Sequence, residues 1–297
     1  MRDVREHEAV MVSEVINNLI VDPNGNYLDC TFGLGGHTKA ILENLSSIGT
    51  LLAIDRDPLS MQEASKILKK DSRFDFKTSS FSSIGEIEQV NKLNGIIADL
   101  GISSYQLDEK KRGFSFNGDF SLDMRMDQTK GPTAEEWINT ASKEEIENVF
   151  WELGEARNSR IISKKIIEQR KLKAITSTKE LANLIISCTH RRTKRHPATN
   201  IFRAIRMHIN EEVQELKNLL IKSERVLKIG GRIVIISFHS IEDRIVKRFF
   251  QGKDRKDEVS LKLVSKKPIK PSLDEVKRNP RSRSAILRVA EKICRIG

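Results

Sequence analysis

The sequence predicts an open α/β sheet with Rossmann-like order, split by a helical insert. Three observations carry that prediction. A glycine turn, Gly33-Leu34-Gly35-Gly36, separates a β-prone lead-in at Tyr27-Leu28 from a helical pattern at Lys39-Ala40-Ile41-Leu42. Two continuous apolar runs, Leu51-Leu52-Ala53-Ile54 and Ile96-Ile97-Ala98, each end in an acid, Asp55 and Asp99. Such runs suit parallel strands covered on both faces. Finally, residues 133–188 contain no strand-like run, whereas Arg232-Ile233-Val234-Ile235-Ile236 resumes the strand pattern far downstream.

Taken in order, residues 8–20 place Val12, Val15, Ile16 and Leu19 at helical spacing, which predicts a short helix beside the first strand. The first strand runs into the glycine turn, and a helix follows over 37–45. Strand two covers 50–55. Asp57-Pro58 then opens a helix to about residue 70, since proline is tolerated in a first turn. Phe74-Asp75-Phe76-Lys77-Thr78 alternates as strand three, and residues 95–101 form strand four. Thr133, Ser142 and Ser177, each followed three residues later by Glu, read as helix starts with capping boxes. Residues 108–205 are therefore expected to be a helical insert in a discontinuous domain of 1–107 and 206–297. A long amphipathic helix over 211–227 precedes strand five, which should lie beside strand four. Residues 261–264 and 285–289 could be two last strands, paired antiparallel, with the basic loop Lys266-Lys267-Pro268-Ile269-Lys270-Pro271 between them.

The turn points to a nucleotide-like cofactor. Gly33, Gly35 and Gly36 let the backbone turn tightly and approach a ligand, and a helix N-terminus offers free N–H groups to it. Asp55 stands about 20 residues beyond Gly35, where an acid meets ribose hydroxyls. The dinucleotide fingerprint is incomplete, because Thr38 occupies the place of its third glycine. The leading acid, Asp29, suits a cofactor with a free amino group, such as S-adenosylmethionine. Phe81, just past strand three, either covers an adenine ring or is a core phenylalanine.

Charge is unevenly placed. Of a net +11, residues 253–297 carry +8 and residues 190–206 carry +6, so the remainder is −3. Two Arg-rich segments on a mildly acidic body favour nucleic acid over a merely solvated lysine surface. No apolar run approaches the roughly 18 residues of a membrane span. Met1-Arg2-Asp3-Val4-Arg5-Glu6-His7 has no signal-peptide character, so a cytoplasmic protein without a membrane partner is expected. Cys30, Cys188 and Cys294 are scattered with no C-x-x-C pair, which suggests neither zinc nor a disulfide framework.

Several blocks, in order, resemble one family. They are Asp29-Cys30-Thr31-Phe32-Gly33-Leu34-Gly35-Gly36-His37-Thr38, Asp55-Arg56-Asp57-Pro58, and Asp99-Leu100-Gly101-Ile102-Ser103-Ser104-Tyr105-Gln106-Leu107-Asp108. Arg112-Gly113-Phe114-Ser115-Phe116, Leu122-Asp123-Met124-Arg125-Met126-Asp127 and His196-Pro197-Ala198-Thr199-Asn200 follow. Ser237-Phe238-His239-Ser240-Ile241-Glu242-Asp243-Arg244 and Asn279-Pro280-Arg281-Ser282-Arg283-Ser284 complete the set. Nearly end to end, the chain resembles the bacterial small-subunit (16S) ribosomal RNA (cytosine-N4)-methyltransferases. Tyr105 departs from a usual Pro and Asn200 from a frequent Arg.

The resemblance implies a Rossmann-like class I S-adenosylmethionine-dependent methyltransferase with an inserted all-helical domain. Its reaction moves a methyl group to the exocyclic N4 of one decoding-centre cytidine, with the assembled small subunit as expected partner; the oligomeric state stays open, a homodimer included. By motif, Gly35, Gly36, His37, Asp55, Phe81, Asp99 and Gln106 would contact the cofactor. N4 is a poor nucleophile because its lone pair is delocalised into the ring. A carboxylate accepting its N–H would assist it, and Asp99 is the first candidate, though it could serve the cofactor alone. Asp123 is the second, against a salt-bridge or capping role. Tyr105, Phe114 and Phe116 could stack a splayed base or pack internally. Arg112, Arg125, Arg195, His196, Arg203, His239, Arg281 and Arg283 are the expected RNA or substrate contacts. Two rivals are a ribosome assembly factor that binds RNA without catalysis and an NAD-dependent oxidoreductase.

Overall fold

A computed structural model of the chain describes residues 9–87, 92–189, 196–253 and 260–294. These fall into two compact units, one drawn from Met1–Gly101 and Gln214–Gly297, the other from Ile102–Val213.

The first unit begins with α1 (Val12–Leu19), β1 (Asn26–Asp29), α2 (Gly36–Asn44), β2 (Thr50–Asp55), α3 (Ser60–Leu68), β3 (Phe74–Thr78) and β4 (Leu93–Asp99). Helix α1 starts later than periodicity suggests because Met11 takes a left-handed backbone with φ 55° and cannot continue a right-handed helix. After the helical unit the chain returns through α10 (Glu212–Val226), β5 (Leu227–Ser237), α11 (Ser240–Phe250), β6 (Leu261–Leu263), α12 (Leu273–Arg278) and β7 (Ile286–Lys292).

Among the described residues the strands form one sheet in the order β3-β2-β1-β4-β5-β7-β6. The first five run parallel, while β7 is antiparallel to both β5 and β6. Strand five does lie beside strand four, with Asp99 opposite Ile236. The order reverses direction at β1 and β4, so the carboxyl ends of those strands open a crevice, the usual ligand position in such sheets.

Burial on both faces explains the unbroken apolar runs. Leu28, Leu52, Ile54, Ile96, Ile233 and Ile235 face one layer with Leu216, Leu219 and Leu220 of α10 and Phe249 and Phe250 of α11. Tyr27, Leu51, Ala53, Ile97, Val234 and Ile236 face the other, with Val15 and Leu19 of α1, Ile41 of α2 and Ile67 of α3. Ile96, Ile97, Ile233 and Ile235 have no exposed surface. Each such side chain contributes about 1.5–3 kcal/mol relative to exposure.

The second unit is helical: α4 (Ser104–Asp108), α5 (Ala134–Thr140), α6 (Lys143–Glu152), α7 (Ser159–Leu172), α8 (Thr178–Ser187) and α9 (Ala198–Ile209). Thr133, Ser142 and Ser177 each accept the expected backbone N–H from Glu136, Glu145 and Glu180. The unit starts and ends beyond the expected 108–205. Ser103 caps α4, and α9 continues to Ile209 with Ile201, Phe202 and Ile205 in the same core as Trp137, Phe150 and Leu181. Helices α11 and α12 escaped the sequence reading; they start at His239 and Ser272, whose side chains accept the N–H groups of Glu242 and Glu275.

Candidate cofactor and catalytic site

The glycine turn leaves β1 at Asp29 and enters α2 at Gly36. Gly33 and Gly35 have φ of 54° and 76°, left-handed values that glycine adopts without strain. The Gly33 N–H donates to Asp55 Oδ2 at 2.7 Å, and the Asp57 N–H donates to Asp55 Oδ1 at 2.9 Å. Asp55 therefore fixes the turn and also accepts from the Ser60 side chain, and a carboxylate with about four acceptor sites keeps capacity for a ligand hydroxyl. Burial pushes its carboxyl up to about 6, against the lowering effect of those two amides.

Asp29 is committed to the turn itself. Its Oδ1 accepts the Thr31 N–H at 2.9 Å, its Oδ2 accepts the Thr38 hydroxyl at 2.8 Å, and the residue is 1% exposed. The place of the missing third glycine thus holds a hydroxyl that satisfies a buried acid. Burial holds the Asp29 carboxyl above its ordinary value.

The acid that remains available is Asp99, at the end of β4. Its backbone N–H donates to Thr31 Oγ1 at 2.7 Å, which ties the ends of β1 and β4 together. Asp99 Oδ2 lies 3.8 Å from His37 Nδ1, whereas Oδ1 is buried with no hydrogen-bond partner. Burial raises the Asp99 carboxyl to about 7; His37 pulls it down, and Asp29 and Glu242 push it further up. His37 is buried, and its Nε2 lies 2.8 Å from the Val10 carbonyl, so Nε2 carries the donated proton and Nδ1 turns toward Asp99. Phe81 opens a short 3-10 turn and packs half-buried against the sheet's core layer.

An orphaned buried carboxylate oxygen asks for a donor. The ammonium of S-adenosylmethionine, which Asp29 cannot take, is such a donor, and Asp55 still offers acceptors for hydroxyls. The chain's own groups therefore fit that cofactor.

His239 sits apart from this role. It caps α11 with Nδ1 3.4 Å from the Glu242 N–H, and its Nε2 is 3.1 Å from Glu242 Oε1, both side chains being under 10% exposed. The expected RNA contact is corrected to a buried cap. Arg281 and Arg283 are exposed on a 3-10 turn at Pro280–Ser284.

In the helical unit, Gln106 and Ser103 form a reciprocal capping box at the start of α4, with Gln106 Oε1 accepting the Ser103 N–H at 3.1 Å. Tyr105 is 41% exposed and free to present a ring face. Arg112 is corrected from RNA contact to internal strut. It is 2% exposed and donates to the carbonyls of Arg125 and Met126 at 2.9 and 2.8 Å. Phe114 packs in the same core beneath the Arg112 guanidinium, so its stacking role falls too. Asp123 is held by Arg125 through contacts of 2.8 and 3.1 Å and by Gln128 at 3.0 Å. Burial pushes its carboxyl up, but these partners hold it below its ordinary value. The salt-bridge role accounts for Asp123 and occupies Arg125 as well. Phe116 stacks on His196 with ring centroids 4.5 Å apart, and His196 Nδ1 accepts the Ala198 N–H at 3.2 Å. Arg203 is half-buried on α9, and Arg195 lies outside the described residues.

The sheet order, the glycine turn at the first strand end and the free acid at the fourth define a Rossmann-like class I methyltransferase. The chain belongs to the MraW methylase family, whose sequence model matches residues 4–293. It is 46% identical over 309 residues to the Ribosomal RNA small subunit methyltransferase H of Caldicellulosiruptor saccharolyticus, covering 97% of this chain and 99% of that protein. It is 42% identical over 304 residues to the protein of the same name from Coxiella burnetii, with the same coverage. A solved S-adenosylmethionine-dependent O-methyltransferase from Thermotoga maritima superposes with a TM-score of 0.46 at 12% identity, over 99% of this chain and 70% of that one. That likeness is too low to support any inference.

Proposed function

We propose that this enzyme transfers a methyl group from S-adenosylmethionine to the exocyclic N4 of a cytidine in small-subunit ribosomal RNA, with the RNA presented in the small subunit in the cytoplasm. The observation that carries the proposal is Asp99 Oδ1, a buried acceptor without a partner at the end of β4, beside the glycine turn. The names of the relatives support ribosomal RNA as the substrate class.

When bound, the cofactor supplies a sulfonium methyl for in-line displacement. Gly35, Gly36 and the α2 N-terminus would hold it, with Asp55 taking hydroxyls, Phe81 flanking the base, and His37 and Asp99 on the amino-acid side. Asp99, once ionised, accepts N–H hydrogens and stabilises the positive charge that develops as N4 gains the methyl group. N4 would then return to neutrality by giving one proton to solvent. Each unit would make its own RNA contacts: Arg195 and Arg203 of the helical unit and Arg281 and Arg283 of the sheet unit to phosphate, and Tyr105 to a splayed base.

Methyl transfer from labelled cofactor to small subunits isolated from a strain lacking the enzyme tests the function. The expected result is label at N4 of a single cytidine. Cofactor binding with no transfer to any ribosomal RNA refutes catalysis and leaves an assembly factor. In Asp99→Ala, lost cofactor binding assigns the residue to the cofactor, and retained binding with lost transfer assigns it to the amine.

A further inference from the structure

We infer that Glu275 is a positioning residue for the cofactor site, acting through residues 9–11, which buttress the glycine turn. Glu275 stands on α12, far along the chain, and its Oε1 accepts the Met11 N–H at 2.7 Å in a buried contact. Met11 is the N-cap of α1 and has a left-handed backbone that methionine rarely adopts. The carboxylate satisfies an N–H that no helix carbonyl can reach, and a negative charge is favoured at a helix N-terminus. It is therefore Glu275 that holds Met11 in place.

The two preceding residues act on the site directly. The Val10 carbonyl accepts from His37 Nε2 at 2.8 Å, which fixes the proton on that nitrogen and leaves Nδ1 facing Asp99 at 3.8 Å. Ala9 lies on the first turn of α2: a Cβ added to Gly36 would come within 2.7 Å of the Ala9 Cβ. Glu275 is in turn oriented by the α12 cap, its own N–H donating to Ser272 Oγ at 3.1 Å, and it is 7% exposed. A continuous set of contacts thus runs from Ser272 through Glu275, Met11, Val10 and His37 to Asp99. Without the carboxylate, a buried N–H loses its acceptor, the left-handed Met11 loses its restraint, and the carbonyl that orients His37 shifts.

This inference rests on the cofactor reading, and the experiment separates the two. The full chain and its Glu275→Ala and Glu275→Gln variants are titrated calorimetrically with S-adenosylmethionine, and their affinity for small subunits is measured in parallel. Glu275→Ala should bind the cofactor more weakly, by up to about tenfold, because the share of the lost hydrogen bond that disorders residues 9–11 lowers the population of the binding-competent site. Its affinity for small subunits should not fall. Glu275→Gln keeps an acceptor oxygen and should lie within about twofold of the unsubstituted protein. Hydrogen exchange on the unsubstituted protein needs no variant to fold: the Met11 and Val12 amides should exchange more slowly once S-adenosylmethionine is added. Unchanged cofactor affinity in Glu275→Ala, equal losses for both ligands, or unchanged exchange at Met11 each overturns the role. An unsubstituted chain that binds no S-adenosylmethionine overturns the cofactor reading instead, and this inference with it.

Discussion

The protonation of Asp99 should be visible in the enzyme's pH profile. Its carboxyl is raised to about 7 by burial and by the neighbouring acids Asp29 and Glu242, with His37 opposing. A raised carboxyl keeps its proton at pH 6 and gives it up by pH 8. If the ionised form is the one that meets a cation, the competent fraction is about 0.09 at pH 6 and about 0.9 at pH 8. Methyl transfer at low cofactor concentration, read as kcat/KM, should therefore rise about tenfold over that interval, equivalent to about 1.4 kcal/mol, and level off above it. Asp99→Asn keeps the shape and removes the charge. It should lower kcat/KM and flatten the profile between pH 6 and 8. The same raised acid makes ionisation a cost to the empty fold. Relative to an unfolded carboxyl, its contribution to stability is fully present at low pH and is lost as pH rises toward about 7. Asp99→Asn should thus melt higher than the unsubstituted protein at pH 8, by a margin that shrinks as pH falls from about 7 toward the ordinary carboxylate range. A profile that keeps its tenfold rise in Asp99→Asn, or that falls with rising pH, refutes the assignment of the titrating group.

Four further outcomes follow from individual residues. Gly35→Val meets a φ of 76° and the Phe32 ring 3.0 Å from its Cβ, so it should abolish cofactor binding by calorimetry while small-subunit affinity survives. Thr38→Val leaves Asp29 Oδ2 without its donor in a buried site and should cost about 1.5–3 kcal/mol in urea unfolding, with Thr38→Ser close to the unsubstituted protein; an undiminished Thr38→Val would mean that the hydroxyl is idle. Arg281→Glu with Arg283→Glu should weaken RNA binding and flatten its dependence on salt, measured by filter binding from low to high salt, whereas Arg112→Met should lower the melting temperature and leave the salt slope unchanged.

Much of this was legible in the sequence because the relevant signals are local. Glycines at 33 and 35, an acid ending each of two apolar runs, and three Ser/Thr-x-x-Glu helix starts depend on a few neighbouring residues. The strands could be placed because a parallel strand buried on both faces leaves an unbroken apolar run. What escaped was set by contacts between distant segments. Nothing near Thr38 says that its hydroxyl satisfies Asp29 rather than marking a lost glycine, and the signal lies only in a hydroxyl spaced to reach back to an acid across a turn. Arg112 and Arg125 read as RNA contacts because arginine is usually solvated, but one props two carbonyls and the other pairs with Asp123. His239 read as a substrate contact, yet it begins α11 three residues before Glu242, a pattern that a capping search with histidine included would find. Met11 cut short a helix that periodicity supported, because its backbone answers to Glu275 rather than to its neighbours.

The insertion between β4 and β5 has a consequence for how the chain folds. The two strands are adjacent in the sheet, Leu93 opposite Leu227, yet the whole helical unit intervenes in sequence. Closing so long a loop as an open coil would be entropically costly and slow. The intervening helices carry their own caps and their own core, so they can collapse early from local contacts and shorten the effective span before the sheet pairs. The placement of the helices thus predicts an order of assembly in which they form before the strand pairing they interrupt. Weakening a cap such as Ser177 should then slow completion of the sheet, although no strand has been altered.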